Sequence, residues 1–218
     1  YYDFSDGTLL CLTPGESISM KDSDNTRPSK GWILAFHPDL ICGTVLGANI
    51  RDYTFFSYRP EEALHVSLRE KQVILELLDK INEELQRCID CYSQKIISKY
   101  IELLLDYCER FYERQFITRN EANTKIIERF DRLLDDHFNT IQSQSSDLPT
   151  IEECVRVLRL SPAYFNDLLE YETGKSYKEY LQFKRFEIAK EWLINTDKTL
   201  SQIAQELSLI HISEPTRH

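Results

Sequence analysis

The spacing of the apolar residues changes near Ser67, and that change limits what the chain can fold into. From there Val73, Ile74, Leu77, Leu78, Ile81, Leu85 and Ile89 recur at helical spacing through residue 90. Ser93 is placed to cap a second helix whose apolar face is Ile97, Ile101, Leu104, Cys108 and Phe111. A third pattern runs from about Asn120 to Gln142, with Ile127, Phe130, Leu134, Phe138 and Ile141 on one side. Before Ser67 the texture differs. Thr8–Leu12, Gly31–Phe36 and Tyr53–Tyr58 are short β-prone runs separated by Pro14-Gly15, Asp22–Pro28 and His37-Pro38-Asp39, which predicts strands joined by turns and loops. The expected fold class is α+β, mostly α.

Gln142–Pro149 is polar, rich in Ser and ends in Pro, which marks a domain boundary. Beyond it Thr150 caps Ile151–Leu158, Ser161-Pro162 starts a helix that stops at Gly174, Ser176 caps a longer helix to about Asn195, and Thr199 or Ser201 opens one more. The two short helices joined by Arg159-Leu160-Ser161 have the spacing of a helix-turn-helix. Ile151, Cys154, Val155 and Leu158 face inward on the first, and Phe165, Leu168 and Leu169 on the second, with Leu160 plugging the turn. Ala163, Asn166, Asp167 and Glu170 are left on the outer face of the second helix. Such a face fits a DNA major groove, where base edges are distinguishable. An ordinary helical corner around a small core satisfies the same pattern.

The wording of this segment narrows the choice. Leu160–Leu181 reads LSPAYFNDLLEYETGKSYKEYL, and KRFEIAKEWLINTDKTLSQIAQEL follows from Lys184. Together they resemble the DNA-binding domain of the AraC/XylS family of bacterial transcription regulators. The match is carried by Ser161–Tyr164, Glu172–Gly174, Phe183–Leu193 and Ile203-Ala204. Phe36–Asp39, Glu62–His65 and Tyr100–Phe116 resemble the family's sensor half, a cupin-like β domain followed by paired helices. The resemblance implies that Ser161, Ala163, Tyr164, Asn166 and Asp167 lie where a first recognition helix meets DNA. Asn166 could then pair with adenine and Asp167 accept from cytosine. Lys175, Lys178, Lys184 and Arg185 are suited to phosphate oxygens that fix register. It also implies a homodimer formed through the helix pair, with Ile96, Tyr100, Leu103, Tyr107 and Tyr112 available for that face.

The implied organisation is a partial cupin-like effector-sensing region over 1–66, a helical connector with dimerisation helices over 67–144, and a helix-turn-helix domain over 145–207 whose second unit is incomplete. The chain starts at Tyr1 without an initiator Met and reads as a fragment truncated at both ends. Residues 208–218 resemble the in-frame translation of a transposase-type sequencing adapter. Two features depart from the family. Glu170 and Tyr171 stand where Lys or Arg is common, and after Glu206 the chain reads LSLIHISEPTRH in place of a Gly-containing turn and a second recognition helix. Residues 145–206 carry eight basic and eleven acidic side chains, a net of −3. Non-specific DNA affinity should therefore be low.

Charge and composition exclude other classes. A formal net charge of −10 argues against a wholesale polyanion binder, and no apolar stretch approaches the ~20 residues that cross a bilayer. Six scattered Cys suit reduced thiols in a cytoplasmic protein. Cys88 and Cys91 form a C-x-x-C inside the helical run, a poor zinc or redox signal there. His37 and His65 lack an H-x-H, no G-x-S-x-G or H-E-x-x-H occurs, and Gly174-Lys175-Ser176 lacks the upstream glycine of a phosphate loop. No enzyme activity, cofactor or metal is expected. The expected function is sequence-specific DNA binding by a transcription regulator that responds to a small-molecule effector, with promoter DNA as partner and no membrane. The alternative is an acidic helical dimerisation or protein-interaction module that does not bind DNA.

Overall fold

The structure, a computed structural model, describes residues 7–17, 31–141, 149–196 and 198–207. The chain divides into two compact units between Thr118 and Arg119. Among the described residues helices dominate both, with one small antiparallel sheet, so the fold is α+β and mostly α. Among the described residues no helix is long and apolar enough to cross a membrane.

In the first unit β1 (Gly7–Leu9) pairs antiparallel with β2 (Leu64–Val66), in the register Gly7↔Val66, Thr8↔His65 and Leu9↔Leu64. Among the described residues between them lie two short helices, α1 (Pro38–Ile41) and α2 (Val45–Asn49), and three 3-10 turns. Gly47 of α2 runs against Ile41, where an added Cβ would sit 2.1 Å from the carbonyl oxygen, so no larger residue fits without moving backbone. Two long helices follow, α3 (Leu68–Leu85) and α4 (Ser93–Thr118). They pack together through Ile74, Leu77 and Ile81 of α3 and a broad buried stripe of α4 that includes Ile97, Ile101, Leu104 and Cys108.

The strand is fastened to α4 by polar side chains. Gln115, nearly wholly buried, accepts from the His65 N–H at 2.8 Å and donates to the Ala63 carbonyl at 3.3 Å. Arg114 donates to both Glu70 oxygens at 2.9 Å and to the His65 carbonyl at 2.7 Å. Glu70 in turn closes a capping box with Ser67 at the start of α3. One patch of α4 thus holds the end of β2 and the first turn of α3.

Several sequence expectations change here. Gly31–Phe36 forms no strand, and Ile33 is 93% exposed, since no neighbouring strand among the described residues pairs with it. Tyr53–Tyr58 is also not a strand; Thr54–Ser57 is a 3-10 turn. The turn gathers aromatic rings onto α4, with Phe55 stacked on Tyr112 at 5.4 Å, Tyr58 edge-on to it at 5.1 Å, and the Tyr53 hydroxyl donating to Asp106 at 2.6 Å. Tertiary packing overrides the β preference of the run. Of a β region, the described residues contain the two-stranded ribbon. Tyr112 is buried in this cluster and so is not available to a dimer face, while Ile96 and Leu103 are exposed. Helix α3 ends at Leu85 rather than near residue 90, and Ile89 is 91% exposed.

The second unit contains α5 (Asn120–Ile141), α6 (Ile151–Leu158), α7 (Pro162–Thr173), α8 (Tyr177–Asn195) and α9 (Leu200–Glu206). The sequence groups α5 with the connector, yet Phe130, Leu134 and Phe138 are buried in one core with Val155, Leu158, Phe165, Leu169, Leu181, Trp192 and Ile203. Phe130, Leu134 and Phe138 are buried as expected, with Ile127 packed beside them; the partner is different. Most of the expected linker (142–148) and the adapter-like tail (208–218) lie outside the described residues.

Replacing Gln115 by Leu leaves the His65 N–H and the Ala63 carbonyl without their partner. It should lower the stability of the first unit by about 2–3 kcal/mol, read as a shifted denaturant midpoint at unchanged slope.

Candidate nucleic-acid interface

The corner between α6 and α7 is built from local chemistry. Thr150 and Glu153 form a reciprocal capping box at the start of α6, with Thr150 N–H to Glu153 at 2.8 Å and Glu153 N–H to the Thr150 hydroxyl at 3.3 Å. Arg159 ends the helix in the left-handed region (φ 62°, ψ 40°), and the Leu160 N–H donates back to the Val155 carbonyl at 3.1 Å. Ser161 then caps α7 by accepting from the Tyr164 N–H at 3.2 Å, with Pro162 at the first helical position. Gly174 closes α7 at φ 68°, a conformation suited to glycine, and its N–H meets the Glu170 carbonyl at 2.8 Å. Glu179 next takes the Ser176 N–H at 2.9 Å and its hydroxyl at 2.7 Å, which lowers the Glu179 pKa and starts α8.

Inward residues fall where their spacing predicts. Cys154, Val155, Leu158, Phe165, Leu168 and Leu169 are buried, and Ile151 and Leu160 pack against the same core. Helix α5 forms the back wall. Phe130 meets Phe165 edge-to-face at 4.9 Å, and Tyr180 and Tyr177 at 5.6 and 5.8 Å. Arg129 donates to the Val157 carbonyl in the last turn of α6 at 3.3 Å, and Asn123 donates to Glu172 at 3.3 Å. Asp131 accepts from the Tyr180 hydroxyl at 2.7 Å and pairs with Lys184 at 3.0 Å. The carboxylate raises the Tyr180 pKa further, burial being the larger cause.

The nine residues singled out from the sequence do not form one exposed surface. Ser161 and Tyr164 are buried, Ser161 as a cap. Ala163 and Asp167 are half-buried on the outer stripe of α7, and Glu170 beside them is exposed. Asn166 also lies on that stripe, but its Oδ1 accepts from the Tyr177 N–H at 3.1 Å. A bidentate pair with adenine needs both ends of the carboxamide, so in this arrangement Asn166 is a clamp on the start of α8. Lys184 is likewise committed: its side chain is 18% exposed in the pair with Asp131, which ties α8 to α5. Lys175 lies 5.0 Å from the centre of the Phe183 ring and bonds the Thr173 carbonyl at 3.4 Å. Lys178 is exposed. Arg185 is half-buried; its Nε meets no hydrogen-bond partner among the described residues, and burial lowers its pKa.

Sequence reasoning passed over Arg156 and Arg159. Both are exposed, one on the last turn of α6 and one at the corner itself. Their signal was the VRVLRL run, in which two Arg stand among the buried Val155 and Leu158.

Two curated proteins of Bacillus subtilis are similar to part of this chain. The HTH-type transcriptional regulator YtdP is 27% identical over 101 residues, covering 45% of this chain and 13% of its own length. The HTH-type transcriptional regulator YobQ is 30% identical over 77 residues, covering 35% of this chain and 32% of its own length. The chain therefore matches a third or less of each relative. No protein-family model matches the chain, and no solved structure matches it significantly.

Two substitutions test the corner in opposite directions. Phe130→Ala should destabilise the second unit by about 3–5 kcal/mol. Arg159→Gly should stabilise it by about 1 kcal/mol, since a Cβ is unfavourable in the left-handed region. Trp192, buried in this unit, reports both by its fluorescence in a Trp32→Phe background.

Proposed function

We propose that the second unit binds duplex DNA and that the chain belongs to a transcription regulator of the AraC type. The observation that carries this reading is the α6–Arg159–α7 corner, with one stripe of α7 turned outward and a rigid back wall supplied by α5. The names of the two relatives support it. In this reading α7 enters the major groove, and Ala163 and Asp167 meet base edges from half-buried positions. Ser161 and Tyr164 shape the start of the helix. Lys178, Arg185 and Lys175 meet phosphates, Lys178 being the exposed one of the three. Asn166 and Lys184 act indirectly, by holding α7 and α8 in place.

The first unit would sense a small-molecule effector and form a homodimer through α3 and α4, where Ile96 and Leu103 are exposed. An effector shifts such a system only by its difference in affinity for two dimer arrangements.

A second reading has its own support. The net charge of −3 over residues 145–206 and the exposed Glu170 also suit docking to a protein without any contact to DNA. Fluorescence anisotropy with duplex DNA over a salt series separates the two. For the regulator, log K should fall against log salt with a slope of roughly −3, as expected for about three phosphate contacts. Lys178→Ala should weaken all sequences alike and flatten that slope by about one. In a binding-site selection Asp167→Ala should relax preference at one base pair by about 1–3 kcal/mol. DNA affinity absent at low salt would favour the protein-docking module.

A further inference from the structure

Cys88 and Cys91 do not lie in a helix. They sit in the loop 86–92, after α3 has ended and directly ahead of the 26-residue α4. Both thiols are free and exposed. Outside the helical hydrogen-bond ladder, the backbone of this loop can turn to bring sulfurs three residues apart together, and so short a separation makes ring closure cheap in entropy.

The centre of the motif is also the cap of α4. Asp90 Oδ1 accepts from the Tyr92 N–H at 2.8 Å and the Ser93 N–H at 3.0 Å, while the Asp90 N–H donates to the Ser93 hydroxyl at 3.2 Å. A third thiol, Cys42, is free and exposed in the same neighbourhood, where Gln94 of α4 donates to the Leu40 and Cys42 carbonyls at 3.1 and 3.4 Å. The remaining three thiols are buried. Burial pushes Cys11 up to about 12 and also raises Cys108 and Cys154, which leaves them protonated and unreactive. The accessible thiols are thus gathered at one end of one helix.

We propose that Cys88 and Cys91 form a reversible intraloop disulfide across the cap of α4, with a small-molecule disulfide as oxidant. One cysteine thiolate attacks the small disulfide, forming a mixed disulfide and releasing one small thiol. The second cysteine attacks the protein sulfur of that bond, closing the ring and releasing the other small thiol. The protein loses two electrons and two protons, and the small disulfide becomes two thiols. Excess thiol runs both steps backward. The closed ring holds residues 88–91, and with them Asp90, so the redox state is felt at the first turn of the central helix of the first unit.

The test equilibrates the full chain in graded mixtures of oxidised and reduced glutathione, traps remaining thiols by alkylation under denaturing conditions, and maps the peptides. The expected product has lost two hydrogens, keeps four of the six cysteines alkylatable and carries a Cys88–Cys91 link. Cys88→Ser should abolish that loss and leave Cys91 as a mixed disulfide with glutathione. Separate glutathione adducts on Cys88 and Cys91 in the unsubstituted chain, a link through Cys42, or a link between two chains would each overturn the assignment.

Discussion

The second unit depends on where the ring of Phe130 lies. It comes from α5, is fully buried, and touches Phe165 of α7 as well as Tyr177 and Tyr180 of α8. Helices α6 and α7 are 8 and 12 residues long, too short to hold their shape or mutual angle alone. Their fixed crossing comes from a third helix against which both can bury an apolar side. Around that apolar contact the polar links are arranged at its edges, Arg129 on the end of α6, Asn123 on Glu172 and Asp131 on Tyr180 and Lys184. The rings meet at the centre of this contact, and the bonds around them set direction.

The first unit solves a different problem by different means. A three-residue strand has little cohesion of its own. Here its second edge is met by the side chains of Gln115 and Arg114, so a helix does the work of a neighbouring strand. The aromatic turn at Thr54–Ser57 adds apolar cover on the same helix. Helix α4 is consequently the common support of almost everything described in this unit.

What could be read from the sequence was what is decided locally. The caps at Thr150, Ser161, Gly174 and Ser176, the corner at Arg159, and the buried sides of α4, α6 and α7 follow from residues no more than four or five apart. Four matters did not. Tyr53–Tyr58 has strand composition, and only its contact with a ring more than fifty residues later turns it into a tight helical turn. The apolar stripe of α5 looks the same whichever unit it faces, so its grouping was not legible. Asn166 and Lys184 read as exposed polar residues suited to DNA because their partners, Tyr177 and Asp131, are distant in sequence. The C-x-x-C was likewise misplaced, because apolar Leu85 and Ile89 continue a helical period that the backbone abandons after Leu85.

If α7 reads DNA as proposed, the bond from Asn166 to the Tyr177 amide limits how that surface can diversify. One of the outward positions of α7 is part of the framework, so changing it to read another ligand would first loosen the start of α8. The vocabulary of this helix is therefore narrower than its exposed length suggests. In that reading new preferences are more accessible through Ala163, whose side chain takes no part in that bond, and a chain that lacked the bond could explore more alternatives from the same scaffold.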